Sequence, residues 1–295
     1  MAEDMDWAVV AIRFGTYADL SLIAGIPLFL FLSLGQQRAR AVMATWRGFY
    51  LLLILSVAPL SLLGLLGTTA AMAGTDLFPV DREMVGLVIS ATPAGKAIVA
   101  RVVLAVVMMA ILLFGRSIPL RAVTALSAIA AITFVWNGHA AASEGICGWL
   151  HLAGDAVHIL AAALWIGGMA CLLITLRPAT AHLAEPILRA FAWVGAVIVA
   201  LLVATGLLNM GMTIGFDKIL LSLGGTYGRL LALKIALFLF MLGLAANNRF
   251  RLTPAFERDR LNALPALRRA IALEIGIAIL ILALVAWLGM IAPVE

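Results

Sequence analysis

Charge is what this sequence has least of. Only 12% of its 295 residues are Asp, Glu, Lys or Arg, about half of the roughly 25% that a soluble domain carries. With 64% hydrophobic residues and a mean hydropathy of +1.13, a soluble globular chain is excluded. Cysteine is scarce too. Cys147 and Cys171 are the two present, which rules out a disulfide framework. They lie on one expected helix and its approach, roughly 30 Å or more apart at 1.5 Å per residue, too far for a bridge within the chain. No Walker A loop, zincin helix, Rossmann fingerprint or nucleophile elbow occurs, so neither an ATP-driven pump nor an enzyme is expected. The opening MAEDMDWAVVAIRF has no basic n-region and no small-residue cleavage site, and reads as mature and uncleaved. The net charge of +5 and a pI near 9.8 do not indicate nucleic acid, because the basic residues cluster in short loops between apolar segments.

What is present is a series of apolar runs long enough to cross a bilayer as helices. Eight are expected, at 14–34, 50–73, 96–115, 119–138, 150–175, 190–212, 229–248 and 270–291. The chain reads as all-α, a single integral-membrane domain over 1–295. Thirteen basic residues (Arg38, Arg40, Arg47, Arg116, Arg121, Arg177, Arg189, Arg249, Arg251, Arg258, Arg260, Arg268, Arg269) fall in loops after odd-numbered spans. Five (Arg13, Arg82, Lys96, Lys218, Arg229) fall on the other side. The positive-inside rule then puts both termini outward.

The spans also repeat. Gly95-Lys96, four residues and Arg101 in the third span return as Gly228-Arg229, four residues and Lys234 in the seventh. At the same offset Met108 meets Met241 and Arg116 meets Arg249. Gly64-Leu-Leu matches Gly206-Leu-Leu, and Trp136-Asn-Gly-His139 matches Trp287-Leu-Gly-Met290. The expectation is two four-helix halves, 1–145 and 146–295, in parallel orientation about an axis along the membrane normal.

The stretch from Trp136 to Gly168 holds three of the four histidines, His139, His151 and His158, with Glu144, Cys147 and Asp155. On a helix His151, Asp155 and His158 stand at i, i+4 and i+7, one face, with Trp165 two turns further. Ionisable groups within a span are costly and mark function by default. A short loop makes the fourth and fifth spans antiparallel neighbours, so His139 and His151 meet at the outer surface. His158 lies roughly 10 Å deeper. Imidazole is the commonest protein metal ligand, and sulfur partners select soft Cu(I). Asp19, Arg101, Asp155 and Lys234 sit about five positions inside the outer ends of four odd-numbered spans, roughly 7 Å deep. Their charges sum to zero, so they are expected as ion pairs, with Asp155 also able to orient an imidazole. Glu274 is expected against neighbouring arginines, Glu144 and His182 as solvated loop residues, and Cys147 as a minor candidate.

The Gly-His-Ala at 138–140, the helix His151…His158-Ile-Leu-Ala-Ala-Ala-Leu-Trp-Ile-Gly-Gly, Gly228-Arg229-Leu-Leu-Ala-Leu-Lys234 with Asn248-Arg249, Met72-Ala-Gly74 and the Thr92-to-Arg101 stretch resemble the CopD family. That resemblance implies a bacterial inner-membrane protein of copper resistance or homeostasis, multi-pass in the lipid bilayer, with both termini periplasmic. It implies copper handling, with a separate periplasmic CopC-type carrier as partner; with copper as the bound ion, His139, His151, His158 and Met72 are the expected ligands. Two other readings stay open. One is a b-type haem cytochrome using His139 and a fifth-span histidine. The other is a factor that delivers copper without transporting it.

Overall fold

The computed structural model describes residues 6–75, 77–78, 80–138, 145–176 and 181–293, with the side chains of 181–186, 220 and 261 outside the description. Asp6 opens the first helix. Its Oδ1 accepts from the N–H groups of Ala8 at 2.9 Å and Val9 at 3.2 Å, satisfying donors that a helix start leaves unpaired. Helix α1, Trp7–Thr45, then runs unbroken to Gly35, whose φ of 69° breaks the regular geometry. Only glycine adopts that angle without a steric penalty. The span ends there, and the continuation carries Arg38 and Arg40. Helix α2, Arg47–Ala73, returns antiparallel to α1 and stops at Gly74 in the left-handed conformation, a common helix ending.

A ten-residue helix, α3 (Arg82–Ala91), follows, where the sequence reading expected only a loop. It buries Val88 against Leu65 and Ile98. Thr92 then joins it to α4, Pro93–Phe114: its hydroxyl donates to the Val88 carbonyl at 2.7 Å and accepts from the Gly95 N–H at 3.0 Å. Helix α5, Leu120–Ile132, tightens into a 3-10 turn over Thr133–Asn137. Helix α6 spans Gly145–Thr175, and α7 spans Ala181–Thr213. A short α8, Ile219–Ser222, leads into α9, Thr226–Asn247. That helix continues through a π turn, Asn248–Leu252, into α10, Thr253–Arg258. The last helix is α11, Arg260–Leu288.

Among the described residues eight helices are long and apolar enough to cross a membrane, and no strand occurs. Each coincides with an expected span. Their outward surfaces carry Leu52, Leu55, Phe114, Trp193 and Phe240, all exposed, as lipid-facing walls should.

Helices α1 and α6 form the centre, each packed on α5, α7, α11 and the other. Their crossing is set by glycine. A Cβ on Gly25 would fall onto the Ala163 carbonyl, and one on Gly167 onto the backbone of Gly25 and Ile26. Ala163 and Gly167 are four apart, the small-x-x-x-small arrangement that lets helices touch backbone to backbone in lipid. Directly after Gly167, Gly168 makes room for Phe29 and Phe191, which meet edge to face at 5.7 Å. The histidine helix is thereby held in the middle of the bundle.

The sequence repeat fits the backbone. Gly95 and Gly228, its matched glycines, both open a span directly after a short helix. A Cβ on Gly95 would collide with Val88 backbone and one on Gly228 with Ser222 backbone. Each is the point where a short helix folds back on the next span.

Candidate functional site

A polar layer lies near the end of the bundle where α1 begins. In the first half its centre is Arg101 on α4, 2% exposed. Its Nε donates to Thr133 Oγ1 at 2.9 Å and its Nη2 to Asn137 Oδ1 at 3.3 Å. The guanidinium lies 4.4 Å from the Phe134 ring centroid, and that ring packs at 4.4 Å on Tyr17, which accepts from Arg13 Nη2 at 3.2 Å. Neutral acceptors and a ring face take the place of the carboxylate expected from sequence. Among the described residues no ion pair joins Asp19, Arg101, Asp155 or Lys234. A planar guanidinium can be satisfied this way because its donors form a fixed fork and its face stacks.

Asp19 on α1 is 7% exposed, and neither carboxylate oxygen has a hydrogen-bond partner among the described residues. Ser56 and the Tyr50 phenol stand near it, but that phenol donates to the Ile23 carbonyl at 2.7 Å.

In the second half α6 and α7 are joined by a two-rung ladder. Asp155 Oδ1 accepts from Asn209 Nδ2 at 3.1 Å, and His158 Nδ1 lies 2.9 Å from Thr205 Oγ1. The lower rung fixes a tautomer. Thr205 donates its one hydroxyl proton to the Leu201 carbonyl at 2.6 Å, so its oxygen can only accept from His158. Nδ1 therefore carries the proton and Nε2 keeps its lone pair. Thr205, rather than Asp155, orients this imidazole. His151, two turns outward, is buried at 3% exposure.

Lys234 on α9 makes no hydrogen bond or ion pair among the described residues and acts on Asp155 and His158 only through space. With His158, Trp165 and Met210 it lines a cavity of about 290 Å³ between α6, α7, α9 and α11. The remaining wall is aliphatic and aromatic.

His139 and Glu144 lie outside the described residues, so the expected meeting of His139 with His151 does too. Met72 is at the same end of the bundle, 59% exposed at the close of α2. Among the described residues no three His, Cys, Asp or Glu side chains converge as a metal site. Cys147 is exposed. Glu274, expected against arginines, is buried and accepts from Asn248 Nδ2 at the other end of the bundle. The π turn puts Asn248 there.

The sequence reading missed Thr133, Asn137, Thr205 and Asn209. They form the same Thr-x-x-x-Asn pattern near the same end of two different spans. That doubling was a usable signal.

Fold and layer together define a polytopic α-helical membrane protein with a histidine-bearing polar layer near one end. The family model described as Copper resistance protein D-like, N-terminal domain, matches residues 2–149, and that described as Copper resistance protein D matches residues 185–288. The chain is 31% identical over 299 residues to Copper resistance protein D of Pseudomonas syringae pv. tomato, covering 96% of each chain. It is 31% identical over 159 residues to Inner membrane protein YebZ of Escherichia coli (strain K12), covering 53% of this chain and 54% of that protein. No solved structure matches. The chain belongs to the copper resistance protein D family.

Proposed function

We propose that this protein is a copper permease of the bacterial inner membrane, with both termini in the periplasm, that takes copper at the face carrying His151 and passes it inward. Copper is cargo here, not a resident cofactor, and no enzymatic reaction is involved. His139 and His151 form the outer ligand pair, with Met72 as a soft partner at the rim, and His158 is the deeper ligand. A periplasmic CopC-type carrier delivers the ion.

The observation that carries this reading is the orientation of His158. A Thr205 hydroxyl that can only accept leaves the Nε2 lone pair directed away from the ladder, and metal-ligating histidines are held by just such an outer partner. The family relationship and the basic inner loops support copper and orientation respectively.

The test is copper movement into liposomes containing the purified full-length protein. Time-dependent, saturable accumulation is expected in wild type, with at least a tenfold loss in His151→Ala. Copper bound at full affinity with no accumulation inside would overturn transport and leave a delivery factor.

A further inference from the structure

The two matched cations of the repeat have different fates. Arg101 is enclosed by Thr133, Phe134 and Asn137. In the register that sets Trp136 on Trp287, the corresponding residues of α11 are Leu284, Val285 and Leu288. Both hydrogen-bond acceptors have become leucine. Lys234 is left with no partner among the described residues and faces the 290 Å³ cavity. An ammonium at this depth demands an acceptor, and the described residues of the second half do not supply one.

The cavity says where that acceptor comes from. Its volume is close to the lower bound of about 300 Å³ for small-molecule pockets. Val203 and Leu207 of α7 and Ile235 and Leu239 of α9 line it and are also exposed on the apolar surface of the bundle. Helix α9 packs along α11 and scarcely touches α7, so the cavity opens between α7 and α9 toward lipid. A ligand reaches it from the bilayer.

We propose that this cavity binds a lipid-soluble quinone, with a ring carbonyl accepting from Lys234 Nζ and the ring lying beside His158 and Trp165. Charge selects against an anionic ligand. Asp155 already faces Lys234 electrostatically, so a fatty-acid carboxylate would add an uncompensated negative charge. A neutral ligand avoids that penalty. The polar pair also matches both forms of a quinone: Lys234 donates to the carbonyl, and His158 Nε2 accepts from the quinol hydroxyl. Trp165 is 3% exposed and lines the cavity with its ring, its indole N–H being buried away from the open space. Nε2 is the lone pair offered to copper above, so a quinol and a copper ion at His158 exclude one another. The binding site itself stands on the cavity and Lys234 and does not depend on transport.

The experiment is a titration of the purified full-length protein in nanodiscs with decylubiquinone, read by tryptophan fluorescence and by bound quinone after extraction. Saturable quenching is expected, with affinity at least tenfold weaker in Lys234→Met and abolished by the cavity-filling Leu207→Trp, read by extraction. Trp165→Phe should lose most of the quenching and retain extracted quinone. Oleate should not compete. Unchanged decylubiquinone affinity in either Lys234→Met or Leu207→Trp would overturn the proposal. Displacement by oleate at equal concentration would overturn it too, reassigning the cavity to a fatty acid.

Discussion

Arg101 and Lys234 stand at matching places in the Gly-Lys-x4-Arg and Gly-Arg-x4-Lys stretches of the sequence, yet among the described residues only Arg101 is held by hydrogen bonds. Two hydrogen bonds to a charged donor contribute about 1.5–3 kcal/mol each, and stacking on Phe134 adds to them. Arg101→Met should therefore destabilise by about 3 kcal/mol or more, taking the donor from Thr133 Oγ1 and Asn137 Oδ1. Lys234→Met removes no hydrogen bond and takes away a cation with no partner among the described residues, so it should leave stability unchanged or raise it. Thermal unfolding of both variants in the same detergent checks this, and equal losses would contradict it. At this scale the sequence was informative about charge and silent about neutral partners. The i, i+4, i+7 spacing put His151, Asp155 and His158 on one face, and α6 does so. The partners of Asp155 and His158 were not found, because an expectation built on charge looks for countercharge. The structure uses threonine and asparagine, whose dipoles satisfy a buried ion without adding one.

The elements depend on contacts that carry no polarity. Gly167 and Gly25 meet where α1 and α6 cross, and the histidine helix takes its position from that contact. Gly167→Val should push the helices apart by a side chain that has no space and cut the folded, monodisperse yield several-fold. Gly276→Ala, at a helical glycine with open space around it, should leave the yield unchanged. Size-exclusion profiles of the two variants read this directly. Hydropathy alone located all eight spans, since a bilayer imposes length and apolarity on each. It did not locate α3, which is too short to span and is set by the Asp81 cap, whose Oδ1 accepts from the Glu83 N–H at 3.0 Å. Nor did it find the bend at Gly35, because a single left-handed residue leaves no trace in an averaged apolar run.

Over the whole molecule, the two family models meet the chain on either side of residues 150–184, the segment that contains His151, Asp155 and His158. Helix α6 carries all three through the stretch between the two matched regions. Orientation is the first thing to establish at this scale. Cys147 is exposed at the start of α6 and Cys171 is buried near its end. An impermeant maleimide added to intact spheroplasts should label Cys147 and leave Cys171 unmodified. Labelling from the cytoplasmic side alone would invert the molecule and with it the direction in which copper meets His151.

The central claim is that these histidines bind copper. Its most direct measurement is the copper content and affinity of purified full-length protein, compared with His151→Ala and His158→Ala under identical loading. The account predicts bound copper in wild type and at least a tenfold weaker affinity in each variant, equivalent to about 1.4 kcal/mol. Wild-type stoichiometry and affinity retained in both variants would contradict it.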